Sequence, residues 1–375
     1  MWTPRGWYEE ARRYASERKE WFRGMADLFI RNYSKWMPEM PKDKIIRQLQ
    51  EWNDKRINAT PDLSKYPELQ GMKELIQAEW NGWKDGAELS EEQWIAYCDS
   101  QWFYHRRMKC GITPPGCSYV YFPTSDRGPL LANNLDTSPD QPFTEPEWPL
   151  INEHLIIGGV SSGIFLDEDS PEIFPAPVFK LIGRYCRNTK EAVELLQRYN
   201  YFWGPGNLIV IDRSHNVAMI EKSTCRIGVR YSNDGFGFIT AMTAEESRMR
   251  AWLLNRRQES LRVRNLPIPC ADTIYWDAAD QRHNLMKELI ERAKKNPSFE
   301  EMRKIIQFRD PERGYVCYNG EILFPPDGPP CEHTIRTVIW MLAEGKAAWW
   351  AKEGEKPSFE NRKPDVIFKN VLLWK

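Results

Sequence analysis

The stretch Gly116-Cys117-Ser118-Tyr119-Val120-Tyr121, continued after a polar turn by Leu130-Leu131-Ala132-Asn133-Asn134-Leu135-Asp136, decides the fold. Aromatic and β-branched residues on either side of the Ser125-Asp126-Arg127-Gly128 turn predict a hairpin of two strands. Directly upstream, Gly111-Ile112-Thr113-Pro114-Pro115-Gly116 would break any helix. A cysteine therefore opens the first strand of a sheet region, immediately after a break in the chain.

The residues before this break, 1–116, have the pattern of helices. Apolar residues recur at helical spacing from Tyr8 to Trp36 among Arg, Glu and Lys. Ser90 followed by Gln93 forms a capping box, which predicts the start of another helix. Further helices are predicted at residues 45–57, 69–83 and 90–104. We therefore expect residues 1–116 to form one helical segment.

The residues after the break, 117–375, alternate between strand and helix patterns. Strands are predicted at residues 117–122, 130–134, 155–160, 208–212, 217–221, 226–231, 236–241, 315–318, 334–342 and 347–351. Helices are predicted at residues 178–187, 190–199, 244–262, 281–295 and 299–308. Groups of strands separated by pairs of helices are typical of layered sheets with helices outside. We therefore predict an α+β class, with one compact domain over 117–375.

The bulk composition argues against several classes of function. The 375 residues carry 52 Lys and Arg against 53 Asp and Glu, a net charge of -1, so neither nucleic acid nor an anionic membrane is an expected partner. No apolar run is long enough to cross a bilayer. The charged residues after Met1 lack the apolar core of a secretory signal. We expect a cytoplasmic protein that acts on a small molecule.

The cysteines and histidines do not form a metal motif. The eight cysteines include no Cys-x-x-Cys pair, so neither a zinc knuckle nor a thioredoxin-type redox motif is predicted. The five histidines include no His-Glu-x-x-His motif. We therefore predict no metal and no cofactor. A papain-like pair is an open alternative, with Cys117 or Cys331 as thiol and His154 or His333 as base.

Cys117 has the position of a nucleophile that is released by a backbone cut. Cleavage after Gly116 would make Cys117 the first residue of a new chain, whose α-amino group titrates near ~8 and can accept the proton of its own thiol. Glycine at 116 tolerates the backbone distortion that thiol attack on its carbonyl requires. Asp136 lies 19 positions on (117 to 136), and the hairpin would bring its carboxylate beside the new amine. The alternative is that Cys117 is a small core residue and Asp136 begins a turn.

Around Gly116-Cys117 and Asn134-Leu135-Asp136 the sequence resembles the acyl-coenzyme A:6-aminopenicillanic acid acyltransferase family. This family is a branch of the N-terminal-nucleophile hydrolases and is related to the choloylglycine hydrolases. Its members show Gly-Cys-Thr or Gly-Cys-Ser, followed some 18 to 20 positions later by Asn-x-Asp. The resemblance extends over further stretches: Tyr66 to Ser90 looks like the prosegment, Lys190 to Leu196 like the crossover helix, and Asn207 to Asp212 with Ala218 to Glu221 like the central strand pair.

The resemblance implies a four-layer αββα sandwich over 117–375, with 1–116 as a cleaved but retained helical prosegment. It implies Cys117 as nucleophile and Asp136 as the partner of its amine, acting on a linear amide or an acyl thioester. The candidate substrate-binding residues are Asn133, Asn134 and Tyr119. Tyr119 is also a candidate donor to the oxyanion.

The sequence departs from the family at three places. Choloylglycine hydrolases usually have an arginine three residues before the aspartate, where this chain has Asn133. The asparagine of the family's Gly-x-Asn-x-x-Gly motif aligns with Val160, and that of its Thr-Asn-His segment aligns with Ala241. The side-chain amide expected to bind the oxyanion is therefore missing. Removal of one such donor typically costs ~100–1000-fold in turnover.

These departures support a rival hypothesis. The chain would then be a non-catalytic, uncut homologue that binds a ligand or partner through a surface rich in its 17 tryptophans. An exposed tryptophan patch would also suit homo-oligomers. Arg336, on a predicted strand, is expected to form a surface salt bridge, with contact to a substrate carboxylate as the alternative.

Overall fold

The protein is a mixed helix and sheet structure with antiparallel sheets. The computed structural model describes residues 3–36, 40–58, 71–98, 117–137, 151–161, 178–200, 206–223, 226–265, 271–318, 333–352, 363–364 and 366–368. The helices are α1 (Pro4–Glu17), α2 (Lys19–Trp36), α3 (Lys42–Asn58), α4 (Met72–Ala87), α5 (Glu91–Cys98), α6 (Val178–Tyr185), α7 (Thr189–Arg198), α8 (Ser247–Arg264), α9 (Ala271–Ala293) and α10 (Phe299–Ile306). The strands are β1 (Ser118–Phe122), β2 (Leu130–Thr137), β3 (Leu155–Ser161), β4 (Gly206–Asp212), β5 (Val217–Lys222), β6 (Ile227–Tyr231), β7 (Gly237–Thr240), β8 (Arg309–Asp310), β9 (Gly314–Tyr315), β10 (His333–Met341), β11 (Lys346–Ala351) and β12 (Val366–Phe368).

The predicted hairpin lies inside the larger sheet. Its six strands run in the order β12-β11-β10-β2-β1-β7. Strand β1 pairs antiparallel with β2, with Ser118 opposite Asn134. Strand β10 lies on the other side of β2, and β7 lies on the other side of β1. The hairpin is therefore flanked on both sides by strands that come from far along the sequence.

The strand meander predicted over 208–241 divides between two sheets. Strands β3, β4, β5 and β6 form a second, four-stranded sheet, but β7 pairs with β1 of the larger sheet. The physical reason lies at Gly237, where a Cβ would stand 2.6 Å from a Val217 methyl group and 3.0 Å from Ile209. Because glycine has no side chain, β7 passes close over the face of the second sheet instead of extending its edge.

Three apolar clusters account for the packing of the two sheets. The first lies between them and contains Tyr121, Leu131, Ile209, Ile211, Val338 and Trp340. The second joins the other face of the four-stranded sheet to α6 and α7, through Leu155, Val210, Ile220, Leu181, Ile182 and Val193. The third joins the other face of the six-stranded sheet to α9 and α10, through Val120, Phe122, Ala132, Met286, Ile290 and Met302. Alternate residues of β1 therefore face the second sheet and the helices in turn.

The N-terminal helices differ in one respect from the expectation. The pattern from Tyr8 to Trp36 reads as one helix, but α1 ends at Glu17 and α2 begins at Lys19. Arg18 leaves the helical conformation, at φ -122° and ψ 24°, and its N–H donates to the carbonyl of Ala15. Helix α1 then packs so closely on α4 that a Cβ at Gly82 would stand 2.4 Å from the Tyr8 carbonyl oxygen.

Local helix signals are confirmed where the structure describes them. The Ser90 hydroxyl accepts from the Gln93 N–H at 3.2 Å, and the Gln93 side chain accepts from the Ser90 N–H at 3.1 Å. Asn188 caps α7 by accepting from the Glu191 N–H at 2.9 Å. Helix α9 begins at Ala271, ten residues before its predicted start at Gln281. Among the helices described, none is both long and apolar enough to cross a membrane.

Candidate active site

Cys117 lies at the start of β1, on the side that faces the second sheet. Its side chain packs against the cluster between the sheets and remains partly exposed. Its carbonyl oxygen accepts from the Ala241 N–H at 3.1 Å, just beyond the end of β7. The thiol is free. Cys117 is thus held by a main-chain hydrogen bond to the segment after β7, and it packs at the edge of the cluster between the sheets.

Asp136 lies at the end of β2, within a buried polar group. Its Oδ2 accepts from Arg282 Nη1 at 2.5 Å, and both side chains are fully buried. Its Oδ1 accepts from the Thr334 hydroxyl at 2.6 Å. Asp136 lies two residues beyond Asn134, which is paired with Ser118 at the start of β1. Gly116 itself, the other half of the predicted cleavage site, lies outside the described residues.

The charges around the sulfur act in opposite directions. Burial, followed by the negative charge of Asp136, raises the pKa of the Cys117 thiol to about 12. The Asp136 main-chain N–H and the cations Arg282 and Arg336 partly oppose this by stabilising the thiolate. Burial also raises the pKa of the Asp136 carboxyl above its usual range, although Arg282 and Thr334 favour its ionised form. The side chains of Cys117, Asp136, Arg282 and Arg336 therefore form one electrostatic group.

Arg336 is not the surface residue expected from the sequence. It lies on β10 opposite Leu135 of β2, and only 7% of its surface is exposed. Since β10 is an interior strand of the six-stranded sheet, a side chain there is covered by its neighbours. The surface salt bridge expected for Arg336 is therefore wrong. Its positive charge instead acts on Cys117.

Arg282 is the residue that sequence reasoning missed. It lies on α9, and Leu285, Met286 and Ile290 of the same helix are buried against the six-stranded sheet. Arg282 lies about one turn before Leu285 and Met286, on the same apolar face of the helix. A charged side chain is almost never fully buried on such a face unless it is paired with another group. The position of Arg282 in this apolar pattern could therefore have indicated a buried charge pair. Its partner, Asp136, lies 146 residues away and could not be identified by local spacing.

The two adjacent asparagines of β2 have separate surroundings. Asn133 is buried on the Cys117 side, and its Nδ2 donates to the main-chain carbonyls of Ser118 at 3.1 Å and Asn134 at 3.0 Å. Asn134 lies on the helix side. Its Nδ2 donates to the carbonyls of Ile306 at 2.7 Å and Val316 at 3.3 Å, and its Oδ1 accepts from the Thr337 hydroxyl at 2.7 Å.

Replacing Asn134 by alanine is expected to lower stability by about 2–3 kcal/mol, because it leaves buried carbonyl and hydroxyl groups without partners. The measurement is urea unfolding followed by circular dichroism. The exposed Asn81 of α4 offers a matched control, and Asn81→Ala should change the free energy of unfolding by less than about 0.5 kcal/mol. Equal effects of the two variants would show that the Asn134 hydrogen bonds contribute nothing.

Tyr119 lies two residues from Cys117 on the same side of β1. Its ring is parallel to that of Trp340, with centroids 6.4 Å apart and an interplanar angle of 2°. On the opposite sheet, a Cβ at Gly158 would stand 2.7 Å from the Tyr119 ring carbons. Gly158 thereby makes room for the ring between the sheets. Tyr119 forms an aromatic wall next to Cys117, which is compatible with its predicted contact with a substrate.

The segment after β7 lies beside Cys117 but offers no side-chain amide. Ala241 is buried, and its N–H is used by the Cys117 carbonyl. Met242 has a left-handed backbone at φ 64°, which is unusual for a residue with a side chain and common near functional sites. Asn207 of β4 donates to the carbonyls of Thr240 and Thr243, each at 2.8 Å. It therefore shapes this turn and has no donor left for an oxyanion.

The structure describes only some of the remaining candidate residues. Cys331 and the side chain of His333 lie outside the described part of the chain, so the papain-like pairs that include them stay untested. His154 is partly exposed and its Nε2 lies 3.2 Å from Glu153. His283 is buried on the helix side, with Nδ1 2.8 Å from the Thr240 hydroxyl. Within the described residues no three or more His, Cys, Asp or Glu side chains group as metal ligands would.

Comparison with known proteins finds similar solved structures. No protein-family model matches the sequence, and no curated protein is a significant relative. The similar solved structures include two variants of the conjugated bile acid hydrolase from Clostridium perfringens, at 12% and 11% identity and a TM-score of 0.34 for both. The matches cover 69% and 71% of this chain and 90% and 95% of the hydrolase chains. At this TM-score the superposition carries no argument about function.

Proposed function

We propose that this protein is a self-processing cysteine amidohydrolase or acyltransferase of the N-terminal-nucleophile type, with Cys117 as its nucleophile. One observation carries the proposal: the Asp136 main-chain N–H donates to the sulfur of Cys117, a partly exposed residue directly before β1, and one buried carboxyl group and two buried arginines act electrostatically on that sulfur. Perturbed titratable groups gathered around one nucleophile are typical of active sites. The substrate is a small molecule with an amide or acyl thioester bond.

Self-cleavage proceeds in two steps. The Cys117 sulfur attacks the carbonyl carbon of Gly116, the peptide C–N bond breaks, and a thioester replaces it while the nitrogen of Cys117 takes up a proton. The Asp136 carboxylate accepts the proton of the thiol and delivers it to this nitrogen, a role that is favoured because burial raises its pKa. Water then hydrolyses the thioester, which leaves a carboxylate on Gly116 and restores the thiol beside a free amine.

Turnover uses the amine that cleavage has released. The neutral α-amino group of Cys117 accepts the proton of the thiol, and the resulting thiolate attacks the substrate carbonyl. The oxyanion collapses to an acyl-enzyme, and the leaving amine or thiol departs with a proton. Water resolves the acyl-enzyme in a hydrolase, and an amine resolves it in a transferase. Asp136 orients the amine in both reactions.

The αββα sandwich with a retained prosegment belongs to the same proposal. The three apolar clusters support four layers, because each sheet has one face on the other sheet and one face on helices. Trp7 of α1 supports retention of the prosegment, since it is buried in the cluster of α6 and Lys180 lies 4.0 Å from its ring. Lys180 also contacts Glu79 of α4 at 2.5 Å. These contacts would survive a cut after Gly116.

A second candidate function is a non-catalytic binding protein of the same fold. Two observations favour it: the high pKa of the thiol, about 12, and the alanine where a side-chain oxyanion donor is expected. In that case the chain stays uncut and its thiol is inert toward acylating reagents.

Intact-mass spectrometry of the purified protein distinguishes the two functions. The enzyme is expected to separate under denaturing conditions into two chains, 1–116 and 117–375, of which the second begins with Cys117. Native gel filtration should keep both chains together. A single chain of 44.2 kDa after prolonged incubation at neutral pH, with no acylation of Cys117, would favour the binding protein. Thiol-dependent turnover of N-acyl amino acids, acyl-coenzyme A thioesters and penicillins would then identify the substrate.

The reactivity of Cys117 in the uncut chain is expected to depend steeply on pH. With a pKa of about 12, about one thiol in 10⁴ is ionised at pH 8, and the ionised fraction rises about tenfold with each pH unit. Alkylation of Cys117 by iodoacetamide, followed by peptide mass spectrometry, should therefore accelerate about tenfold per unit between pH 7 and 10. Glutathione in the same solution should level off near its ordinary thiol pKa. A plateau for Cys117 below pH 9 would contradict the expected ionisation.

A further inference from the structure

The turn after β7, residues 240–243, is held by buried side-chain donors from two other elements. Asn207 of β4 donates to the carbonyls of Thr240 and Thr243, each at 2.8 Å. Arg257 of α8 is also buried, and its Nη2 donates to the carbonyl of Met242 at 2.8 Å. Three carbonyl groups of this turn are therefore fixed from outside it.

The hydrogen bond from Arg257 acts on a strained residue. Met242 is buried and has φ 64°, a left-handed conformation that is disfavoured for a residue with a side chain. Such a conformation persists only where the surrounding structure holds it. A hydrogen bond from a charged donor is among the stronger contacts in a protein, and here it acts on the carbonyl of the strained residue itself.

Arg257 is itself held in one orientation. Its Nη1 donates to Oδ2 of Asp280 on α9 at 2.7 Å, and its Nη2 donates to Oδ1 at 3.2 Å. Its guanidinium carbon lies 5.6 Å from the centre of the Trp276 ring. Because the guanidinium is planar and forms two bonds to one carboxylate, the pair with Asp280 also fixes the direction in which Nη2 reaches Met242.

The same turn contacts Cys117. Thr240 pairs with Ser118 at the end of β7. The N–H of Ala241, the next residue, donates to the Cys117 carbonyl oxygen at 3.1 Å. A cut after Gly116 would remove the covalent bond that restrains Cys117 from the other side. The hydrogen bond from Ala241 would then hold the main chain of the new N-terminal residue, which carries both the thiol and the amine.

We infer that Arg257 is a positioning residue for the proposed self-cleavage and turnover, and that it acts by holding the turn at 240–243 in the shape that binds the Cys117 main chain. The inference rests on the proposed function. Because Arg257 acts through the turn, its loss should displace the nucleophile without removing a substrate contact. A displacement of about 1 Å can lower a catalysed rate about 100-fold.

Hydrogen exchange at the Ala241 amide tests the hold on the turn without requiring activity. The full chain is labelled with ¹⁵N-alanine and compared by NMR with Arg257→Met, in which water can solvate the partly exposed Asp280. The Ala241 amide should exchange about tenfold faster in this variant, because the turn has lost a charged donor. Ala132 of β2, which pairs with both β1 and β10, is the internal reference and should stay within about twofold.

Turnover of an accepted amide or thioester substrate tests the consequence for the nucleophile. Arg257→Met should lower kcat about 100-fold and leave KM within about twofold, because the substrate contacts remain. Arg257→Lys keeps the charge but not the planar fork, so its effects should be partial, about threefold on exchange and about tenfold on kcat. Arg262→Met removes an exposed cation from the same helix and should change neither quantity.

An unchanged exchange rate at Ala241 in folded Arg257→Met overturns the inference. Equal acceleration at Ala241 and Ala132 also overturns it, because the effect would then be on overall stability. So does an unchanged kcat beside faster exchange, since the turn would not position the nucleophile. If Arg257→Met does not fold, Arg257→Lys decides by the same criteria. An uncut and inert wild-type chain in which Ala241 still responds to Arg257→Met would show that the proposed function fails while Arg257 holds the turn.

Discussion

The Cys117→Ala variant is expected to remain a single uncut chain and to lose almost all turnover. Without the sulfur, neither the thioester at Gly116 nor the acyl-enzyme can form. Loss of a nucleophile from a hydrolase of this kind lowers kcat on the order of 10⁶-fold. Intact mass under denaturing conditions measures cleavage, and release of amine or thiol from the best substrate of the panel measures turnover.

Cys98→Ala is the matched control for this experiment. Cys98 is also a partly exposed cysteine outside any disulfide, but it lies at the end of α5, among the N-terminal helices. The Cys98→Ala protein should be cleaved and turn over at the normal rate. Cleavage of the Cys117→Ala chain at the same peptide bond would exclude Cys117 as the nucleophile. A loss of activity in both variants would indicate a general effect of thiol removal on folding.

The Asp136→Asn variant is expected to lower stability by about 3–5 kcal/mol and to abolish self-cleavage. The amide keeps the shape of the carboxyl, but it leaves the Arg282 guanidinium buried without a counter-charge, which is the costly way to break a buried ion pair. Cleavage stops because the leaving nitrogen of Cys117 loses its proton donor. Urea unfolding gives the stability change, and intact mass gives the extent of cleavage under native conditions.

Two further variants separate stability from chemistry. Asp136→Asn combined with Arg282→Met removes both charges, and it should regain most of the lost stability without regaining cleavage. Asp280→Asn breaks the pair with Arg257, in which the Asp280 side chain is 36% exposed, and should cost only on the order of 1 kcal/mol. Normal cleavage by Asp136→Asn would remove Asp136 from the proposed mechanism, whatever its effect on stability.

The hairpin of β1 and β2 is an example of what local sequence predicts well. A polar turn at 125–128 joins two strand patterns, and the two strands pair with Ser118 opposite Asn134. Capping by Ser90 was equally predictable, because its partner Gln93 lies only three residues away. Turn and capping patterns that span only a few residues can be predicted because they depend only on those residues and their nearest neighbours in the sequence.

The sequence-based predictions that were wrong have a common cause: contacts between residues that are far apart in the sequence. The meander over 208–241 reads as one sheet because each strand has the correct local pattern, yet β7 crosses to β1. Arg336 reads as an exposed cation because β10 gives no local sign that β2 and β11 cover it on both sides. Helix α9 extends ten residues upstream of its predicted start because packing of Trp276 and Ala279 in the core supports a stretch with weak periodicity.

The sequence by itself determined the helical character of α1 to α5 and the hairpin of β1 and β2, and it singled out Cys117 and Asp136 as candidates. These features follow from side-chain periodicity and turn chemistry, which act over a few residues. Only the tertiary structure decided which charges act on the sulfur, because Arg282 and Arg336 lie on elements far along the chain and come near Cys117 when α9 and β10 pack against the hairpin. Electrostatic interactions depend on distance and burial, and neither quantity exists until the chain has folded.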